Sequence, residues 1–155
     1  HWMKVVIELD EELDEECIVI KCRRLDDNIV SIQKLLTDEG NGERDILLYK
    51  GDKSYYVPLS KILFFETENK HIWAHTASDM FETEYKLYEL EELLPGYFMR
   101  ISKSTIVNLN HIYSITKNIT SSSVIEFNEC HKQVYVSRNY YKALIERLEN
   151  KRKIR

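Results

Sequence analysis

The chain has 155 residues, 43% of them hydrophobic and 31% charged, with ten tyrosines and a formal net charge of −4. That length suits one domain of about 100 residues with a small accessory unit and excludes two large domains. The composition excludes a disordered chain, and apolar runs of only about four residues exclude a membrane-spanning helix, which needs about twenty.

The mean charge hides a gradient. Residues 1–45 hold 6 basic against 13 acidic side chains, a net of −7; residues 46–97 hold 5 against 9, a net of −4; residues 98–155 hold 11 against 4, a net of +7. A polyanion would meet the carboxy-terminal third. His1 and Trp2 before Met3 read as the end of a tag, and the acidic stretch that follows is not a signal peptide, so the expected location is cytoplasmic. Cys17, Cys22 and Cys130 form no CxxC pair and read as reduced structural thiols.

In chain order, alternation over residues 4–8 and the apolar segment 17–20 predict two short strands flanking the acidic run 10–16. Asp26 and Asp27 are helix-capping types, and Ile29, Ile32, Leu35 and Leu36 share one helical face. This β-β-α unit is assigned to residues 3–42, with a linker at the Gly40-Asn41-Gly42 cluster. Short strands are then predicted at 46–49, 55–57, 62–66, 71–76, 80–83, 98–101, 105–107, 112–116, 124–127 and 134–136, with a hairpin turn at 50–53. Helices are predicted over 85–94, ended by Pro95-Gly96, and after Ser137, where Tyr141, Leu144, Ile145 and Leu148 repeat at helical spacing. The basic residues 150–155 form a tail expected to fray. The class is mainly β with short helices (α+β).

Catalytic signatures are missing. The chain has no GxSxG elbow, phosphate loop or HExxH helix, and its four glycines give little of the backbone freedom that phosphate loops need. His71 and His75 project to one side of a strand, but a metal needs about three convergent ligands. We therefore expect no enzyme activity, metal, cofactor or small-molecule substrate. Arg100, Lys103, Lys117, Lys132, Arg138 and Lys142, interleaved with Ser, Thr, Asn and Tyr, make a mixture suited to phosphate and base edges.

Three stretches carry a resemblance: Leu59-Ser60-Lys61-Ile62-Leu63-Phe64-Phe65-Glu66, the leucines from 87 to 94, and Val136-Ser137-Arg138-Asn139-Tyr140-Tyr141. A fourth is longer and more specific: residues 98–112 follow the form F-x-R-I-x-x-S-x-I-V-N-x-x-x-I, from Phe98 and Arg100 through Ser104 to Asn108 and Ile112. Together they resemble the LytTR family of bacterial DNA-binding domains over residues 46–149. The resemblance implies an elongated stack of small antiparallel sheets and a transcriptional regulator. Such a protein reads double-stranded DNA with loop side chains in successive major grooves, often as pairs on repeated sites.

The resemblance places a first base contact at Asn69, Lys70 or His71, with His71 preferred. It places a second at Lys103, a position where asparagine also occurs in the family; lysine donates only and so favours guanine acceptors or phosphate. The third falls on Arg138, whose guanidinium can grip O6 and N7 of guanine together. Arg100, Ser102, Ser104, Asn139 and Tyr140 become phosphate candidates, while Ile106, Val107, Leu109 and Ile112 read as core.

A receiver domain, common ahead of this domain in the family, needs about 120 residues and does not fit the forty or so before the boundary, so phosphorylation is not the expected control. The amino-terminal unit is instead expected to support a homodimer, and some short family members are restrained by a membrane-protein inhibitor. The rival reading is a protein-interaction module that regulates by partner binding without DNA recognition.

Overall fold

The computed structural model describes residues 3–41, 44–128 and 130–153. They divide into two compact units, one ending at Thr37 and one beginning at Asp38.

In the first unit, Asp26 caps helix α1 (Asp27–Asn41). Its Oδ1 accepts the Ile29 N–H at 3.0 Å, satisfying one of the donors that a helix start leaves open. The two strands predicted at 4–8 and 17–20 do not form: no ladder assigns either segment. Val5, Ile7 and Ile18 are 87%, 85% and 73% exposed. A lone two-strand hairpin is marginal in water without a further surface to bury its apolar face. Among the described residues only Ile29 reaches burial within the unit, so the ordering energy for a ladder is missing.

The first strands of the second unit are β1 (Asp45–Lys50) and β2 (Lys53–Pro58), joined by the turn at Gly51, whose φ of 59° suits glycine. Pro58 stops β2, and a short 3-10 turn spans Leu59–Lys61. The strand predicted from residue 62 therefore starts later, as β3 (Phe64–Glu68). It is followed by β4 (His71–His75), β5 (Met80–Thr83), α2 (Leu87–Leu93), β6 (Phe98–Arg100) and β7 (Thr105–Asn108). The order in this seven-stranded sheet is β2-β1-β5-β4-β3-β7-β6. A second sheet, β10-β9-β8, is built from β8 (Ile112–Thr116), β9 (Ser123–Phe127) and β10 (Gln133–Val136), and α3 (Arg138–Lys153) closes the chain. All pairings are antiparallel, as expected for the mainly β class with short helices.

Strand alternation explains the doubled apolar residues at the centre of the large sheet. Phe65 and Ile106 face one core with Leu48, Ala74, Phe81, Leu87 and Leu90. Their neighbours Phe64 and Val107 face a second core with Ile125, Val134, Val136 and Leu144 of the small sheet and α3. β3 and β7 are thus covered on both sides, which makes them the rigid spine. Ile106, Val107 and Leu109 are buried as expected, and Ile112 is half-buried. The tail predicted to fray from residue 150 is helical as far as Lys153, and residues 154–155 lie outside the described residues. Lysines and arginines at a helix carboxy terminus complement its dipole and extend it. No helix is long and apolar enough to cross a membrane among the described residues.

Candidate nucleic-acid interface

The antiparallel pairing of Glu66 with Thr105 brings the end of β3 and the start of β7 to the same end of the sheet. The β3–β4 turn and the β6–β7 loop therefore lie side by side. Backbone hydrogen bonds tie them: the Thr67 N–H donates to the Ser104 carbonyl at 2.9 Å. On the loop's other flank the Ser137 N–H donates to the Ile101 carbonyl at 3.0 Å, one residue before α3 begins. The loop at 101–104 is consequently a hub on which both neighbouring candidate elements hang.

Within the hub, Ile101 is fully buried and its N–H donates to the Thr105 carbonyl at 3.0 Å. Ser102 Oγ accepts the Ser104 N–H at 3.2 Å and lies 3.3 Å from Ser104 Oγ. The buried Thr105 hydroxyl donates to Glu66 at 3.0 Å. Burial raises the Glu66 pKa and Glu68 adds to the rise, while the Thr105 bond opposes it. The two serine hydroxyls thus spend their bonding inside the loop, whereas Lys103 is exposed.

Arg100 turns back on its own loop. Its Nε donates to the Ser102 carbonyl at 2.7 Å, its Nη2 to the Lys103 carbonyl at 2.5 Å, and its Nη1 pairs with Glu91 of α2.

The β3–β4 turn has two residues, Asn69 and Lys70, because Glu68 pairs with His71. Both lie in the left-handed region, with φ of 52° and 68°, as the hairpin turn that matches strand twist requires. Asparagine tolerates this; lysine is strained there by about 1 kcal/mol. Lys70→Gly is therefore expected to raise stability by about 0.5 kcal/mol in urea unfolding. A less stable glycine variant would show that Lys70 is not strained there. His71 opens β4, exposed, with Nδ1 paired to Glu82 of β5. That pairing leaves Nε2 for any outside partner.

At α3, Arg138 and Asn139 are exposed and Tyr140 is half-buried, packed against the second core. Neither Lys103 nor Arg138 has a side-chain hydrogen bond or ion pair among the described residues.

Lys132 does not join this group. It sits at the opposite end of the sheet, donating to the Thr76 and Asp79 carbonyls at 2.8 and 2.6 Å and lying 3.1 Å from His75 Nδ1. It pins the β9–β10 loop to the β4–β5 turn, and burial lowers its pKa. His75 stacks on Phe64 with centroids 4.3 Å apart. Burial, then the Lys132 charge, brings its pKa down to about 4.

The unfolded chain takes up this proton near pH 6.5. Stability from neutral His75 is therefore complete above pH 6.5 and is lost as pH falls toward 4, by about 1–2 kcal/mol for a half-exposed ring. Urea unfolding between pH 7 and 4.5 should show this slope, and His75→Gln should flatten it.

His71 and His75 do share a face of β4, and no group of three ligating side chains able to hold a metal occurs among the described residues. Sequence reasoning missed Glu82 and Glu91, whose partners come from other elements and leave no local pattern.

The model of the LytTr DNA-binding domain matches residues 52–149. The chain belongs to the LytTR family. Uncharacterized HTH-type transcriptional regulators of Staphylococcus aureus strains NCTC 8325 and COL are each 30% identical over 146 residues, 94% of this chain and 98% of theirs. A solved LytTr DNA-binding domain from Bacillus cereus superposes with a TM-score of 0.60 at 30% identity, covering 67% of this chain and 98% of that one. Despite the relatives' printed names, this LytTR chain has no helix-turn-helix among its described residues, since strands separate α1, α2 and α3 from one another.

Proposed function

We propose that this LytTR chain is a transcriptional regulator that reads double-stranded DNA with Lys103, Arg138 and the Asn69-Lys70-His71 turn, set in successive major grooves of repeated sites. One observation carries the reading: the β6–β7 loop accepts backbone hydrogen bonds from Thr67, two residues before the β3–β4 turn, and from Ser137, one residue before α3, at one end of the sheet's strands. Lys103 and Arg138 are exposed there. A lysine donates to guanine acceptors or phosphate, and an arginine grips both guanine acceptors. Asn139 and the Tyr140 hydroxyl adjoin Arg138 and suit phosphate, as does the start of α3. The protein acts by binding in the cytoplasm, without catalysis.

The test is binding of purified protein to a duplex enriched from a randomised pool, against a scrambled duplex, at two salt concentrations. Selective binding that weakens steeply with salt is expected. Failure to enrich any sequence would instead favour an interaction module.

The regulator works as a homodimer through its first unit. Val5, Ile7 and Leu9 stand 87%, 85% and 94% exposed. The acidic run at 10–16 and the basic Lys21, Arg23 and Arg24 give this segment both charges needed to pair with a copy of itself. Sedimentation equilibrium should return a dimer for the full chain and a monomer for a Val5→Asp, Ile7→Asp variant. A monomeric parent would end this part of the proposal.

A further inference from the structure

Arg100 is the arginine of the F-x-R-I-x-x-S segment, and its environment does not suit a contact with DNA. Its side chain is only 20% exposed. Three of its five N–H donors are committed, two of them to consecutive backbone carbonyls of the loop that follows it. Its charge is met by Glu91 from α2. A phosphate arriving here would have to displace a carboxylate and release two carbonyls.

We infer that Arg100 is a positioning residue for DNA reading: with Glu91 it forms a brace that holds the Ser102 and Lys103 carbonyls inward and so presents the Lys103 side chain. This rests on Lys103 being a base-directed contact, as proposed above. The chemistry of the loop supports it. No other donor reaches the Ser102 and Lys103 carbonyls among the described residues. Backbone bonds at Ile101 and Ser104 fix the two ends of the loop, whereas between them the only other order comes from the Ser104 N–H bond to Ser102 Oγ and weak hydroxyl contacts of the serines, among the described residues. A guanidinium is suited to gathering two adjacent carbonyls because its donors are fixed in one plane. Glu91 restricts that plane from a separate element, so the brace ties the reading loop to the body of the domain. Without it the loop samples other conformations, and apparent affinity drops by the fraction of molecules that remain competent.

A brace and a phosphate contact differ in what they change. Losing a phosphate contact weakens binding to any sequence equally and lowers the salt slope by about one. Losing the brace weakens the enriched duplex, spares the scrambled one and leaves the slope alone.

The experiment compares the parent with Arg100→Ala, Lys103→Ala, the double variant and Glu91→Gln on both duplexes across a salt series. For Arg100→Ala we expect about a tenfold loss on the enriched duplex, less than about twofold on the scrambled one, and no further loss when it is added to Lys103→Ala. Glu91→Gln removes a negative charge, so a purely electrostatic account requires tighter binding to both duplexes; the brace requires selective weakening of the enriched one. Equal losses on both duplexes, a lower slope, additivity with Lys103→Ala, or tighter binding by Glu91→Gln would overturn the inference.

Amide exchange in the free protein separates the two levels, because the brace predicts faster exchange at Ser104 in Arg100→Ala whatever the DNA result. A parent that enriches no duplex defeats the proposed function. Unchanged exchange in a folded variant defeats the brace. Should Arg100→Ala fail to fold, Glu91→Gln, altered at an exposed position, carries the same comparisons.

Discussion

Replacing Arg138 with alanine is expected to weaken binding to the preferred duplex by about 1–3 kcal/mol, roughly ten- to a hundredfold, with a much smaller loss on a scrambled duplex. The residue is the first of α3 and is exposed. Its position is fixed by the Ser137–Ile101 hydrogen bond immediately before it. Its side chain has no partner among the described residues, so the substitution should leave the thermal midpoint unchanged. Arg138→Lys keeps the charge but not the paired donors. It should restore binding to the scrambled duplex without restoring selectivity. Fluorescence anisotropy on the two duplexes checks this, and equal loss on both would show that Arg138 meets only the backbone.

The other large effect concerns stability. Asn108, the asparagine of the I-V-N segment, is 1% exposed, and its amide group spans two irregular segments. Nδ2 donates to the Ile62 carbonyl at 2.9 Å, and Oδ1 accepts the Asn110 N–H at 2.9 Å. Its own N–H donates to the Leu63 carbonyl at 2.8 Å. Asn108→Ala leaves a buried carbonyl and an N–H unmatched and opens a small void. It should cost about 2–4 kcal/mol in urea unfolding. Asn108→Asp should cost more, because a carboxylate cannot donate to Ile62 and is buried with its charge. Equal stability of parent and alanine variant would mean that water replaces both bonds.

The strands from β1 onward were readable because each is short, bounded by turn residues and apolar on at least one face. The doubled Phe64-Phe65 and Ile106-Val107 fit strands covered on both sides, which the structure shows. What could not be read depended on partners distant in sequence. The apolar residues at 4–8 have strand composition, but a strand exists only with a neighbour and a surface to cover it.

Arg100 and Lys132 count as positive charge in any window, yet one folds back on its own loop and the other clasps a remote turn. The order β6-loop-β7 was evident, whereas the pinning of Thr67 and Ser137 to that loop needed coordinates. Lys103 and Arg138 came from the family resemblance, and both are exposed at the hub. The preferred His71 is exposed too, but it already shares Nδ1 with Glu82.

The pinned hub has a calorimetric consequence. The proposed reading surface has its loop and flanking elements already bonded together in the free protein, so little chain disorder is left to lose when a duplex arrives. Its binding should then show a heat-capacity change proportional to the surface removed from water, with none of the excess that accompanies coupled folding. The free and bound loop backbones should superpose closely. A protein with this architecture would change its preferred sequence through side-chain replacement at the hub's rim, leaving the enthalpy of ordering its backbone untouched.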